Sequence, residues 1–123
     1  MTKEQMVAEF GEPGVENPKI MDLITVDPAS GDVVLVMMER RRWGDNPLQL
    51  KQMEEKINRY LGYVLDGFLA QHHPKLADKK VRIRLDCAEE PHGEALRFLE
   101  AATHAIRGEG LELEITVAAP AAG

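Results

Sequence analysis

An α+β fold is predicted for this chain: a two-layer α/β sandwich in ββαβαβ order, with a mixed four-stranded sheet and two helices on one face. Three observations predict it. Two apolar, β-prone runs, Ile20–Val26 and Val33–Met38, flank the turn-forming cluster Asp27-Pro28-Ala29-Ser30-Gly31-Asp32, which reads as an antiparallel hairpin. Apolar residues then recur at helical spacing from Leu50 to Leu65. Finally, Val81–Cys87 and Leu111–Val117 alternate apolar and charged residues around a second helical stretch.

The hairpin strands come first. Val33 to Met38 are apolar at every position, so both sides of the second strand are expected to be covered. The long helix follows. Asn46 is the expected N-cap, Pro47 suits the first helical position, and Gln49 is placed to complete a capping box. Leu50, Met53, Ile57, Tyr60, Leu61, Val64 and Leu65 form its apolar stripe. Lys51, Glu54, Glu55, Asn58 and Arg59 form its polar side. Gly67 is the expected C′ residue, with Phe68 and Leu69 folding back onto the core.

In the third strand Val81, Ile83, Leu85 and Cys87 point inward, while Arg82, Arg84 and Asp86 point out. Pro91 opens the second helix, whose inner stripe is Leu96, Leu99, Ala102, Thr103 and Ile106, and Gly108 or Gly110 ends it. The last strand puts Leu111, Leu113, Ile115 and Val117 inward and Glu112, Glu114 and Thr116 outward. Arg82/Arg84 and Glu112/Glu114 are complementary, which places these two strands side by side and parallel, with their charged face in water.

With 123 residues, 44% of them apolar and 29% charged, one domain with a real core is expected over 19–117. Residues 1–18 read as a flexible arm with a short helix over Thr2–Phe10, and 118–123 as a disordered tail. The net charge of −6 argues against broad nucleic-acid binding. The single cysteine excludes an intrachain disulfide and a Cys-rich metal site. The polar N-terminus has no signal-peptide core, and no window approaches a membrane span, so a soluble cytoplasmic protein of bacterial type is expected.

The order of several segments then resembles a known family. Met21-Asp22-Leu23-Ile24, the Asp27–Asp32 turn and Val33-Val34-Leu35-Val36 lead into Trp43-Gly44-Asp45 and Glu54-Glu55-Lys56-Ile57-Asn58-Arg59-Tyr60. Leu96-Arg97-Phe98-Leu99 and Gly110-Leu111-Glu112-Leu113 close the pattern. This resembles a family of small bacterial domains of unknown function over about 20–117, most specifically in the Trp-Gly-Asp turn and the Glu-Lys-Ile-Asn-x-Tyr helix. Where that pattern places a histidine near the start of the long helix, this chain has Gln49. The resemblance implies the fold layout and implies no activity.

Four segments are candidate sites. Arg40, Arg41, Arg42, Trp43, Asp45 and Asn46 sit just before a helix N-terminus, where three arginines and free N–H groups could hold phosphate or carboxylate. Ordinary capping and exposed arginines explain the same residues without a ligand. Cys87 with His92, between them Glu89 and Glu90 and then Glu94, lies at the carboxyl end of a parallel strand. Yet Cys87 continues an inward apolar set, where thiols are inert. His72-His73 lacks a third ligand. Asp27, Asp32 and Glu39 on the hairpin suggest a metal-dependent nuclease, but no lysine follows two residues on. No catalytic set, metal or cofactor is assigned. The expectation is a non-enzymatic binding or interaction module, acting as a homodimer through the hairpin sheet because its second strand is apolar on both sides. The alternatives are a small metal- or thiol-dependent enzyme, or an anion or nucleic-acid binder through Arg40–Arg42.

Overall fold

The structure is a computed structural model that describes Gly14 and residues 22–118. The expected arm and tail therefore lie outside the described residues, Gly14 and Ala118 excepted. The described chain runs β1 (Leu23–Val26), β2 (Val33–Glu39), α1 (Gln49–Leu65), α2 (Phe68–His72), a 3₁₀ turn at Pro74–Leu76, β3 (Val81–Cys87), α3 (Gly93–Gly108) and β4 (Glu112–Val117). The strands form one mixed sheet in the order β1-β2-β3-β4. β1 and β2 are antiparallel, with Leu23 opposite Val36 and Val26 opposite Val33. β2 and β3, and then β3 and β4, are parallel.

The hairpin turn is closed by its own side chains. Asp27 Oδ1 accepts the Ala29 N–H, and Ser30 Oγ accepts the Asp32 N–H. Gly31 supplies the positive φ of 78° that the turn requires. Outward-facing Arg82 draws on three acids at once: Asp27 at 2.6 Å, Asp32 at 2.8 Å and Glu114 at 3.1 Å. The charge match expected between β3 and β4 is realised, with Arg84 also on Glu114. Glu112 instead turns to Arg107 at the end of α3.

Both long helices lie on one face. Val33, Leu35 and Met37 of β2 and Ile83, Leu85 and Cys87 of β3 pack in one core with Met53, Ile57 and Tyr60 of α1 and with Ala95, Leu99 and Ile106 of α3. Each fully buried large apolar side chain contributes about 1.5–3 kcal/mol. α3 ends in a Schellman motif: Gly110, at φ 82°, donates to Arg107 C=O, and Leu111 N–H donates to Ile106 C=O. Buried Leu111 and Ile106 supply its apolar contact.

The structure departs from expectation at several points. α1 begins at Gln49, three residues past the expected cap, because Asn46 closes a separate turn: its Oδ1 accepts Leu48 N–H and its C=O accepts Gln49 N–H. Gly67 does end α1 with φ 84°, but the chain then forms the short helix α2, which buries Leu69 and leaves Phe68 exposed. Leu65 and Leu96, expected on inner stripes, are exposed; Leu65 is the last residue of α1 and Leu96 lies in the first turn of α3. Ile115 and Val117 point toward the helix layer yet remain 36% and 45% exposed, since β4 is the edge strand and no element covers its carboxyl end among the described residues.

The outer side of β2 is different. Val34 and Val36 are 1% and 2% exposed in the single chain. On this side of the hairpin the β2 residues Val34 and Val36 are thus buried, while Leu23, opposite Val36 on β1, keeps 51% of its surface in water.

Candidate functional site

The carboxyl ends of the parallel strands β2 and β3 carry the two loops that hold most of the candidate residues. The β2–α1 loop begins with a buried carboxylate. Glu39 accepts Arg41 Nε at 2.9 Å on one oxygen and Arg41 Nη2 at 2.8 Å on the other. This bidentate pair suits the planar guanidinium, and Nη1 goes on to Gln52 Oε1 at 2.7 Å. Arg41 is therefore committed inside the protein. Arg40 lies exposed beside Met38 Sδ, and Arg42 is exposed with its carbonyl taken by Asp45 N–H and Gln49 Nε2. The three arginines do not converge.

Gln49 does not form the expected capping box. Its buried amide reaches back to the loop, accepting Gly44 N–H at 2.8 Å and donating to Arg42 C=O at 3.1 Å. Gly44, at φ 86°, makes the turn that brings its N–H inward. Next to it, Trp43 is clasped by Glu89 of the β3–α3 loop. Trp43 N–H donates to Glu89 Oε1, and Trp43 Nε1–H donates to Glu89 C=O, both at 2.9 Å. Ala88 N–H donates to Glu39 C=O and closes the junction.

Between these clasped loops lies a cleft of about 400 Å³, lined by Trp43, Asn46, Gln49, His92, Glu94 and their neighbours in the first turns of α1 and α3. It joins two segments that the sequence offered separately, Arg40–Asn46 and Cys87–Glu94. Of the expected anion-site residues, Trp43 and Asn46 line it; Arg40, Arg41, Arg42 and Asp45 do not. The N–H groups of Gly93, Glu94 and Ala95, which open α3, have no acceptor among the described residues.

The other candidates disperse. Cys87 is buried, and its thiol is pushed up to about 12 by burial and then by the nearby Glu39 and Asp86 carboxylates, so it is a poor nucleophile. His72 stacks beside Tyr63 and Phe68, with Nδ1 3.1 Å from the Tyr63 hydroxyl. Asp27 and Asp32 belong to Arg82, and Glu39 to Arg41, so the hairpin acids share no site. Among the described residues, no three His, Cys, Asp or Glu side chains group as a metal site requires.

Sequence reasoning missed one cluster. Lys56 of α1 is fully buried and donates to Asp22 Oδ1 and to Gly14 C=O. Asp22 also accepts the N–H of Gly14 and of Met38. The Tyr60 hydroxyl bridges the end of the β1–β2 ladder, accepting Asp22 N–H at 3.0 Å and donating to Val36 C=O at 2.6 Å. The phenol is raised far above its usual range, first by burial and then by the Asp22 charge. The only signal in the sequence was that Asp22, Lys56 and Tyr60 stand within the segments that carry the family resemblance.

A family model matches residues 14–119, from the glycine held by Asp22 and Lys56 to just past β4. The chain belongs to DUF6572, a family of unknown function. No curated protein and no solved structure matches it. In this DUF6572 chain the cleft is preformed and lined by both polar and apolar groups. The Trp43–Glu89 and Gln49–Gly44 bonds fix its walls, the N–H groups of α3 offer donors, and His92 and Glu94 stand exposed at its lip.

Proposed function

We propose that the chain is a non-enzymatic binding module that takes a small ligand bearing hydrogen-bond acceptors in the cleft between the first turns of α1 and α3. One observation carries this reading: the cleft walls are locked to each other by Trp43 and Glu89, residues 46 apart in sequence, so the site is organised before a ligand arrives. Preorganisation of this kind lowers the cost of binding. Cys87, the nucleophile of the thiol-enzyme alternative, is buried, does not line the cleft and has a raised thiol. An anion or nucleic-acid site on Arg40–Arg42 has less support, because Arg41 is spent on Glu39 and the cleft is not lined by the other two. A homodimer through the hairpin sheet has less support, because Val34 and Val36 are buried in the single chain.

The test is amide NMR with inorganic phosphate, short carboxylic acids and mononucleotides as probes, together with thermal shift. Binding in the cleft moves the Gly44, Gly93 and Glu94 amides, and saturation at 100 times the dissociation constant stabilises the fold by about 2.7 kcal/mol. Asn46→Asp and His92→Ala change the affinity while the fold persists. Probes that bind elsewhere, leaving those amides unmoved, overturn the reading.

A further inference from the structure

Residues 111–118 contain no proline or lysine to blunt a sheet edge, and the charges they carry, Glu112 and Glu114, both lie on the outer face. β4 is nonetheless an edge strand, six residues long, and no described strand pairs with its far side. Its backbone orientation follows from one bond. Ala118 N–H donates to Cys87 C=O of β3 at 2.8 Å. Alternate residues of a strand turn their N–H and C=O to opposite sides, so Glu112, Glu114 and Thr116 face β3, while Leu113, Ile115 and Val117 offer theirs to the open edge. The same residues carry the apolar side chains, and Ile115 and Val117 keep 36% and 45% of their surface in water. An unpaired row of donors and acceptors beside exposed apolar side chains matches one kind of occupant, another extended strand.

The pattern of β4 is complementary to itself. We infer that β4 is a homodimerisation edge, pairing antiparallel with β4 of a second copy about a two-fold axis at Ile115. In that register Ile115 meets Ile115, and Leu113 meets Val117 on either side of it. Each pair exchanges both of its N–H···O bonds, and the exposed apolar side chains cover one another on the helix side. On the outer side Glu114 stands opposite Thr116, and Glu112 opposite Ala118, so no like charges oppose. Moving the axis to Leu113 sets Glu112 opposite Glu114, which is unfavourable, and strands Val117. Of these two registers the charge pattern selects the one centred on Ile115. α3 packs against β4 on the helix side of the sheet. The interface is unlike the one expected at the hairpin, and it is independent of the cleft.

The experiment is sedimentation velocity across a concentration series, paired with hydrogen exchange at Leu113, Ile115 and Val117. The expected result is a rise toward twice the 13.7 kDa monomer mass, with these three amides slowing as concentration rises. Val117→Pro removes an edge-facing donor without removing a β3–β4 bond, and Ile115→Lys opposes two ammonium groups at the axis. Each weakens association about tenfold or more while Cys87 stays protected from thiol reagents, which reports an intact fold. If one variant fails to fold, the other decides. A chain that stays monomeric throughout, with or without slow exchange at Ile115, overturns the inference. So does a dimer that survives both variants or that is lost instead in Leu23→Lys on the hairpin.

Discussion

Lys56 and Asp22 form an ion pair from which water is shut out: Nζ lies 2.5 Å from Oδ1, and neither side chain has any exposed surface. Removing one partner of such a pair leaves an uncompensated charge and costs about 3–5 kcal/mol. Lys56→Met is expected to destabilise the fold by that amount in urea unfolding. Asp22→Ala is expected to cost more, because Asp22 also accepts the N–H groups of Gly14 and Met38. Tyr60→Phe removes the hydroxyl at the ladder end and is expected to cost about 1–3 kcal/mol, since it strands Asp22 N–H and Val36 C=O. A Lys56→Met chain as stable as the wild type shows that the pair holds nothing together.

The three consecutive arginines are expected to separate sharply. Arg41→Ala leaves the Glu39 carboxylate buried without its bidentate partner, and a loss of about 3–5 kcal/mol follows. Arg42→Ala removes only an exposed side chain and is expected to stay within about 0.5 kcal/mol of the wild type. Thermal or urea unfolding of the pair reads the difference directly. Equal effects at the two positions would mean that Glu39 has another partner.

Trp43 is the single tryptophan of the chain, so its fluorescence reports the loop clasp. Trp43→Phe keeps an aromatic ring in the core and loses the indole bond to Glu89 C=O, a change expected to cost about 1 kcal/mol plus the lost ring volume. Glu89→Ala removes the acceptor of Trp43 N–H and is expected to red-shift the emission as the indole gains water. An unchanged spectrum in Glu89→Ala counts against the clasp as what fixes the cleft walls.

The fold was legible in the chain because its strands and helices obey simple periods. The Arg82/Arg84 and Glu112/Glu114 faces gave the parallel pairing of β3 with β4, and the Asp27–Asp32 turn gave the hairpin. Helix starts were less legible. Asn46 looked like a cap because it is one, but of a turn ahead of the helix. The cleft was half visible, since Trp43, Asn46 and His92 were each singled out; their convergence rests on the Trp43–Glu89 clasp, a contact between residues 46 apart that no local pattern encodes. Lys56 was invisible for a related reason. A lysine one position from the apolar stripe normally reaches water, and only a carboxylate from another element, Asp22, gives it cause to stay inside.

Cys87 links the core to the alkaline stability of the chain. Its thiol is raised from an ordinary 9.0 to about 12, chiefly by burial, so the folded state holds the proton more tightly than the unfolded state does. The corresponding stability is complete below pH 9 and is lost progressively as pH rises from about 9 toward 12. Cys87→Ala is expected to flatten that part of the stability profile, leaving the later decline from Tyr60, whose phenol is also raised. At pH 8 the native thiol is expected to react with an aromatic disulfide reagent only as fast as the chain opens, while the denatured chain reacts at once. Rapid native-state labelling, or an alkaline limb identical in Cys87→Ala, would place the thiol in water and reopen the carboxyl end of β3 as a reactive centre.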